Sequence, residues 1–262
     1  MIRLTFCFLL LSFGAFAQTA ITWPHHKKAV IILTYDDALK SQLDIAIPQL
    51  DSMGFKGTFF LIGDALNSLN IPRWCQAAKK GHELANHTLY HPCASLTDNP
   101  VGSQKYTPNT IVREIGVMDN FLFTMDGRTA HAYAYPCTET AVGGKDYVDT
   151  LKYWGYAKYA RIGGDKDAVI TDFQHLNPLL IPSYGLEGHN TGEQLIAYVD
   201  NVLKKGGMGV FMFHGIGGDY ITTPADSHRQ LLEYLKKHEK DIWVATMSEA
   251  MNYVTAALKT KR

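Results

Sequence analysis

The chain is poor in several features that would each have pointed to a class of protein. It has only 4 cysteines in 262 residues, far too few for a disulfide-built miniature scaffold. It has no excess of charge: 25 Lys plus Arg stand against 25 Asp plus Glu. That balance argues against nucleic acid or an anionic membrane as the main partner, because both reward a basic surface. It has no apolar run of the roughly 20 residues that a membrane span requires, so no transmembrane segment is expected. It also has no repeat, no low-complexity stretch and no Pro- or Gly-rich linker that would divide it. What remains is ordinary globular composition, 46% hydrophobic and 19% charged, at a length that suits one large domain or two small ones.

The first residues stand apart. Arg3 precedes an apolar run from Leu4 to Phe13, followed by Ala15-Phe16-Ala17. A basic start, a short apolar run and a small-residue cleavage site read as a secretory signal over residues 1–17. The expectation is a secreted or periplasmic protein cleaved near Ala17, with one domain over 18–262. Cys7 leaves with the signal, and Cys75, Cys93 and Cys137 remain.

Beyond that point, short β-rich runs alternate with helical patterns, the signature of a parallel α/β architecture. Strands are expected at 29–35, 58–62, 82–86, 131–135, 156–160, 179–183, 209–213 and 241–246. Leu39, Leu43, Ile47 and Leu50 recur at helical spacing, with Pro48 expected to kink that helix. Further helices are expected around 74–80 with Gly81 as its cap, 111–125 and 147–154. Another runs from a Thr191/Gln194 capping box to Lys205, one opens at Pro224, and a last one is capped by Ser248. Seven or eight such alternations favour a barrel over an open sheet. The polar stretch 92–109 is long enough for a loop to suggest a functional one.

Polar residues gather where strands end. Asp36 and Asp37 follow the first strand, His87 and His91 the third, and His214 the most apolar one. In a parallel barrel these ends meet at one face. Each group has an ordinary explanation by itself. An Asp caps a helix, a His satisfies a core edge, and a His-x-x-x-His spacing occurs by chance. The functional alternative places both imidazoles on one side of a helical turn, sharing a metal with one carboxylate. The second carboxylate then takes a proton from the attacking water, and His214 protonates the leaving group.

Taken together, Thr34-Tyr35-Asp36-Asp37-Ala38, His87-Thr88-Leu89-Tyr90-His91, Tyr135-Pro136-Cys137 and Phe213-His214-Gly215 occur in order, each after a strand. This series resembles the polysaccharide deacetylases, carbohydrate esterase family 4, over most of the chain from about residue 29 to 253. The resemblance implies a distorted (β/α)7 barrel with parallel strands that removes N- or O-acetyl groups from a poly- or oligosaccharide. It implies Asp37, His87 and His91 as ligands of a divalent metal, zinc first, with cobalt (Co2+) or nickel (Ni2+) able to serve. It further implies Asp36 as base, His214 as acid and the Cys137 backbone N–H as oxyanion donor.

Three departures accompany the resemblance. Ala38 stands where the family commonly has Gly, a small change unless that residue needs a positive φ. Ala134 stands where the family often has an Arg that orients the base, and Arg161, after the next strand, is the candidate substitute. No residue is recognisable as the Asp that usually tunes the acid His. Cys93 and Cys137, both at the expected catalytic face, are candidates for a disulfide, which export would permit, and Cys75 is expected to be packing. His189 and Asp219 lie in loops that could touch sugar. Two other functions stay open: a carbohydrate-binding protein on a degenerate barrel, and a hydrolase of small cyclic amides.

Overall fold

The computed structural model describes residues 21–260; the segment read as an export signal lies outside them. The chain begins its barrel with β1 (Ala29–Asp36), every residue of which is buried. Ala29, Ile31, Leu33 and Tyr35 face one apolar cluster, and Val30 and Ile32 face another. A strand covered on both faces needs apolar side chains at every position, which is why this run reads as continuous rather than alternating.

Parallel strands follow, each reached through a helix: β2 (Thr58–Leu61), β3 (Glu83–Asn86) and β4 (His131–Ala134). After a two-residue hairpin, β5 (Ala141–Val142) with β6 (Lys145–Asp146), comes β7 (Ala157–Arg161), parallel to β4. β8 (Val169–Ile170) runs antiparallel to β10 (Met208–Phe213), while β9 (Tyr184–Gly185) and β1 lie parallel to it. The segment 181–185 closes the ring. The Ile181 N–H donates to the Ala160 carbonyl and the Ile162 N–H to the Ile181 carbonyl, both at 2.9 Å, while Tyr184 pairs with Phe211. The staves are therefore β1, β2, β3, β4, β7, β9 and β10, the expected distorted (β/α)7 barrel. Part of the distortion lies at β1, whose first half pairs with β11 (Ile242–Ala245) and whose last residues pair with β2.

The helices are α1 (Ile47–Met53), α2 (Ile71–Lys79), α3 (Pro108–Asp126), α4 (Val148–Trp154), α5 (Gly192–Lys205), α6 (Ala225–Lys237) and α7 (Met247–Lys259). Among the described residues none is long and apolar enough to cross a membrane. The predicted capping box at Thr191 and Gln194 opens α5. Pro48 does interrupt its helix, though not by a sharp break: the helical run is continuous over 40–53, and Gln42–Ala46, just before the proline, widen into a π-type turn where the i−4 hydrogen bond from a proline nitrogen cannot form. Two expectations need correction. Ser248 does not cap α7. Thr246 does, in a capping box with Glu249, and Ser248 instead donates its hydroxyl to the buried carboxylate of Glu83. The pairing expected at 179–183 starts at its midpoint, Ile181, and runs past its end into β9. At the end of α2, Lys80 occupies the cap and Gly81, at φ 95°, makes the left-handed turn one residue on.

The outer core contains a polar relay at β1. The Tyr35 hydroxyl lies 2.7 Å from His228 Nε2, and His228 Nδ1 lies 2.6 Å from Gln49 Oε1. Burial pushes His228 down to about 3, so the ring is neutral. Its Nδ1–H donates to the amide oxygen and its Nε2 accepts from the tyrosine. The relay satisfies each group without a buried charge.

Candidate active site

At the C-terminal ends of the strands lies a cavity of about 360 Å³, lined by Asp36, Asp37, His87, His91, Tyr135, Cys137, Thr138, Met212, His214, Tyr220 and Ile221. A larger cavity, about 510 Å³, lies near the opposite strand ends among Arg128, His131, Lys158, Tyr159 and Glu249. The candidate ligand and acid–base residues gather in the smaller one.

Asp36 ends β1 as an inward-facing, buried residue. Its Oδ2 accepts from Arg161 Nη2 at 2.5 Å. Arg161 is the last residue of β7 and only 1% exposed, with its guanidinium over the Phe60 ring at 5.1 Å. Arg161 therefore reaches the expected base from the stave beyond the one carrying Ala134. The other oxygen of Asp36, Oδ1, is buried and has no protein partner.

Asp37 turns the chain away with φ 81°, and Ala38 follows at φ 56°. Asp tolerates the left-handed region, whereas Ala pays about 1–2 kcal/mol for it. The position that departs from the family's glycine is thus one that needs a positive φ. Asp37 Oδ1 lies 3.4 Å from His87 Nε2 and 3.6 Å from His91 Nε2, and it is buried without a hydrogen-bond partner.

The His-x-x-x-His segment is not a helical turn, contrary to the reading from its spacing. It is an irregular loop with Thr88 at φ 67° and His91 at φ 52°. Side-chain acceptors build it. Asn86 Oδ1 takes the Thr88 N–H at 2.9 Å and Thr88 Oγ1 takes the His91 N–H at 2.9 Å. The buried Glu114 on α3 takes the N–H groups of Leu89 and Tyr90 at 3.0 and 3.1 Å. The two rings still converge, with centroids 4.6 Å apart. His87 Nδ1 donates to the Ala134 carbonyl at 2.8 Å, which leaves its Nε2 facing Asp37.

His214 follows β10. Its Nε2 is 3.8 Å from Asp37 Oδ2, and its Nδ1 is buried with no partner. No carboxylate among the described residues is bonded to that nitrogen, in line with the missing tuning Asp. The buried Gln42 amide joins the two halves of the site, donating to the backbone carbonyls of Asp36 at 2.5 Å and His214 at 3.1 Å. Tyr220, in the loop after β10, donates its hydroxyl to Asp37 Oδ2 at 2.7 Å. Gln42, Glu114 and Tyr220 belong to no motif, so nothing in the sequence marks them. Of the two loop residues expected to be able to touch sugar, Asp219 accepts the Ser41 N–H at 2.7 Å and His189 is held by its backbone to Thr222; neither lines the cavity.

Cys93 and Cys137 form a disulfide with Cα atoms 5.8 Å apart, and Cys75 is free and packs beside the outer core. The bridge joins the loop just past His91 to the turn of Cys137, itself at φ 49°. Among the described residues, eight of the eleven non-glycine positions with positive φ lie in or beside this cavity's loops: Asp37, Ala38, Thr88, His91, Cys137, Thr138, Asp219 and Ile221. Strained backbone collects where side chains must be aimed rather than where the chain is most stable.

The electrostatics fit a cation. Burial by itself raises the Asp37 carboxyl, but its contact with His87 and the charges of His87, His91 and His214 hold it well below the usual carboxylate range. Burial lowers His87, yet Asp37 and then Asp36 pull it above its ordinary value. Burial, with His87 beside it, pushes His91 down to about 4. Arg161 balances one of two adjacent buried carboxylates. The second, with its orphaned Oδ1 and two imidazole nitrogens, all within 4.8 Å of one another, is a set that could hold a metal ion. Two His and one carboxylate match the donors of a catalytic zinc-type site, with room left for water.

The sequence profile of the polysaccharide deacetylases matches residues 24–158, just over half of the chain. The chain belongs to the polysaccharide deacetylase family. That family comprises hydrolases acting on acetylated polysaccharides. Solved structures of its carbohydrate esterase branch share the fold of this deacetylase relative. The family 4 domain of a multidomain xylanase from the hindgut metagenome of Trinervitermes trinervoides is 19% identical, covering 86% of this chain and 90% of that one, with a TM-score of 0.56. A family 4 acetyl xylan esterase from Clostridium thermocellum, solved with a cobalt ion, is 18% identical over 85% and 90%, at 0.53. A peptidoglycan deacetylase from Bacillus subtilis is 16% identical over 89% and 93%, at 0.54. A gellan lyase from a Bacillus species is 23% identical over 257 residues; the match takes in 90% of this chain but spans only about a tenth of that protein's length, 10%.

Proposed function

We propose that the protein is an exported, divalent-metal-dependent hydrolase that removes N- or O-acetyl groups from a poly- or oligosaccharide. The observation that carries this reading is the convergence of Asp37, His87 and His91 on one point of a cavity that also holds Asp36, braced by Arg161, and His214. Membership of the deacetylase family, and the fold shared with an acetyl xylan esterase and a peptidoglycan deacetylase, support the substrate class.

Asp37, His87 and His91 would hold the ion, zinc first and cobalt or nickel as substitutes. When bound, such an ion polarises the acetyl carbonyl and lowers the pKa of a neighbouring water. Asp36 takes the proton of the attacking water through its unpartnered Oδ1, while Arg161 fixes the carboxylate by Oδ2. The Cys137 N–H is the candidate donor to the carbonyl oxygen as negative charge builds there. His214 gives a proton to the departing sugar nitrogen or oxygen. The Tyr220 hydroxyl, pushed well above its ordinary pKa by burial and by Asp37, stays protonated and holds Asp37 Oδ2. A neutral glycan suits a chain without net charge.

The test measures bound metal and acetate release from acetylated xylan and from N-acetylated amino-sugar polymers. Release should be lost on chelation and restored by zinc or cobalt, and the polymer that yields acetate separates O- from N-deacetylation. The variant Asp36→Asn should keep its metal and lose turnover by about 100-fold or more; retained turnover would overturn the base assignment. Glycan binding with neither metal nor acetate would leave the carbohydrate-binding reading instead. Export is tested by the N-terminus of the protein recovered from the medium or periplasm. Gln18 is expected, and an uncleaved Met1 in the cytosol would overturn it.

A further inference from the structure

His91 has a nitrogen on each side of its ring, and each faces a different set of groups. Nε2 faces Asp37 Oδ1 at 3.6 Å, and Nδ1 faces Cys93 Sγ at 3.6 Å. His91 Nδ1 or Nε2, Cys93 Sγ and Cys137 Sγ lie within 4.8 Å of one another. While the sulfurs are bonded to each other they are poor ligands. The geometry points to a second metal site, formed by His91, Cys93 and Cys137 when the disulfide is reduced, that takes a zinc-class ion and competes with the Asp37–His87–His91 set for the same imidazole. This inference rests on the proposed metal-dependent activity for its consequence, and on the cysteines for its existence.

Three observations carry it. First, the sulfurs stay close without their bond. The Glu139 carboxylate accepts the Ala94 N–H through both oxygens, at 3.2 and 3.0 Å, and the Ser103 hydroxyl at 3.3 Å, so the turn that carries Cys137 remains tied to the loop that carries Cys93. Second, the bridge is open to attack, since Cys137 is exposed although Cys93 is buried. Third, the two sites need opposite tautomers of His91. Binding through Nε2 places the ring proton on Nδ1, and binding through Nδ1 places it on Nε2. One neutral ring therefore serves one ion at a time. Two thiolates and an imidazole are softer donors than two imidazoles and a carboxylate, and they favour zinc-class ions.

The chemistry balances with a dithiol or phosphine reductant. A dithiol gives two electrons and two protons: the Cys93–Cys137 bond breaks, each sulfur becomes a thiol, and the reductant leaves as its own disulfide. Metal binding then displaces the thiol protons to solvent. Reduction would switch the enzyme off by drawing the ion, or its His91 ligand, away from the acetyl-cleaving site.

The experiment uses cobalt(II) and the whole protein, oxidised or treated with tris(2-carboxyethyl)phosphine and freed of it without air. In the phosphine step water supplies the oxygen of the phosphine oxide and the protons of the thiols. Oxidised protein should bind cobalt without thiolate-to-metal charge-transfer absorption. Reduced protein, with two more titratable thiols and unchanged circular dichroism, should show that absorption and lose at least tenfold in acetate release. Cys93→Ser/Cys137→Ser should show no such absorption under phosphine. A reduced protein with both thiols free and no charge-transfer band overturns the inference, as does a bridge that resists the phosphine or a fold lost on reduction. Cobalt bound only in the reduced state, with the band present, would sink the Asp37–His87–His91 reading while leaving this one standing.

Discussion

Ala38 shows how one side chain can reveal a backbone requirement. Its φ of 56° lies in the left-handed region, where a Cβ is unwelcome and glycine is not. Ala38→Gly should raise unfolding stability by about 0.5–1 kcal/mol in a denaturant titration, after the offsetting entropy of a freer unfolded chain. Arg161 shows the reverse case, a residue whose worth depends wholly on its partner. It and Asp36 form a buried pair, and removing one member strands the other's charge. Arg161→Ala should cost about 3–5 kcal/mol and lower kcat more than it raises KM, because the substrate still meets an intact cavity wall. A variant with unchanged kcat would remove Arg161 from any role in positioning Asp36 as the proposed base.

Helix ends are legible in the chain where their chemistry is local and misleading where it is not. Thr191 and Gln194, three residues apart ahead of an amphipathic run, specify a capping box by their types and spacing alone. At α7 the serine is the more obvious cap by type, but Thr246 and Glu249 form the box, and Ser248 bonds to Glu83 from a distant stave. Replacing Thr246 by Ala should cost about 1 kcal/mol. In a double-mutant cycle, Ser248→Ala should couple to Glu83→Gln by about 1 kcal/mol, and no coupling would return Ser248 to a purely local role. The loop of His87 and His91 carries the same lesson. Its spacing suggests a helical turn, yet Asn86, Thr88 and Glu114 accept its N–H groups and hold it open. A histidine pair can be aimed by a loop as well as by a helix, provided that loop's N–H groups are all satisfied.

Across the molecule the two ends of the barrel have different electrostatics. Near the opposite strand ends, the His131 side chain is fully buried with Nδ1 2.7 Å from Asp119 and Nε2 3.2 Å from Asp126. Burial lowers its pKa, but the two carboxylates raise it further, to about 9. The folded value lies above the unfolded value of about 6.5. Its contribution is therefore complete below about pH 6.5 and lost as pH rises through about 9. His131→Gln should cost on the order of 2 kcal/mol at pH 6 and much less at pH 10, read from unfolding curves at both. A penalty that does not change with pH would mean that the ring is packed rather than charged.

Parallel α/β architecture, the positions of most strands along the chain, and the five residues Asp36, Asp37, His87, His91 and His214 that come to line one cavity are legible in the chain itself. The physical cause is local: buried strands need unbroken apolar runs, and a polar residue directly after such a run marks a strand end. Arg161 could be nominated from its place after a strand, but its contact with Asp36, the closure of the ring at 181–185, and the bracing by Gln42, Glu114 and Tyr220 were decided only by the tertiary structure. Most of those contacts join residues dozens of positions apart or more, with no period or motif to link them. Ring closure brings β7 within reach of β1, and that proximity, not any pattern around Arg161, makes its guanidinium the partner of the Asp36 carboxylate.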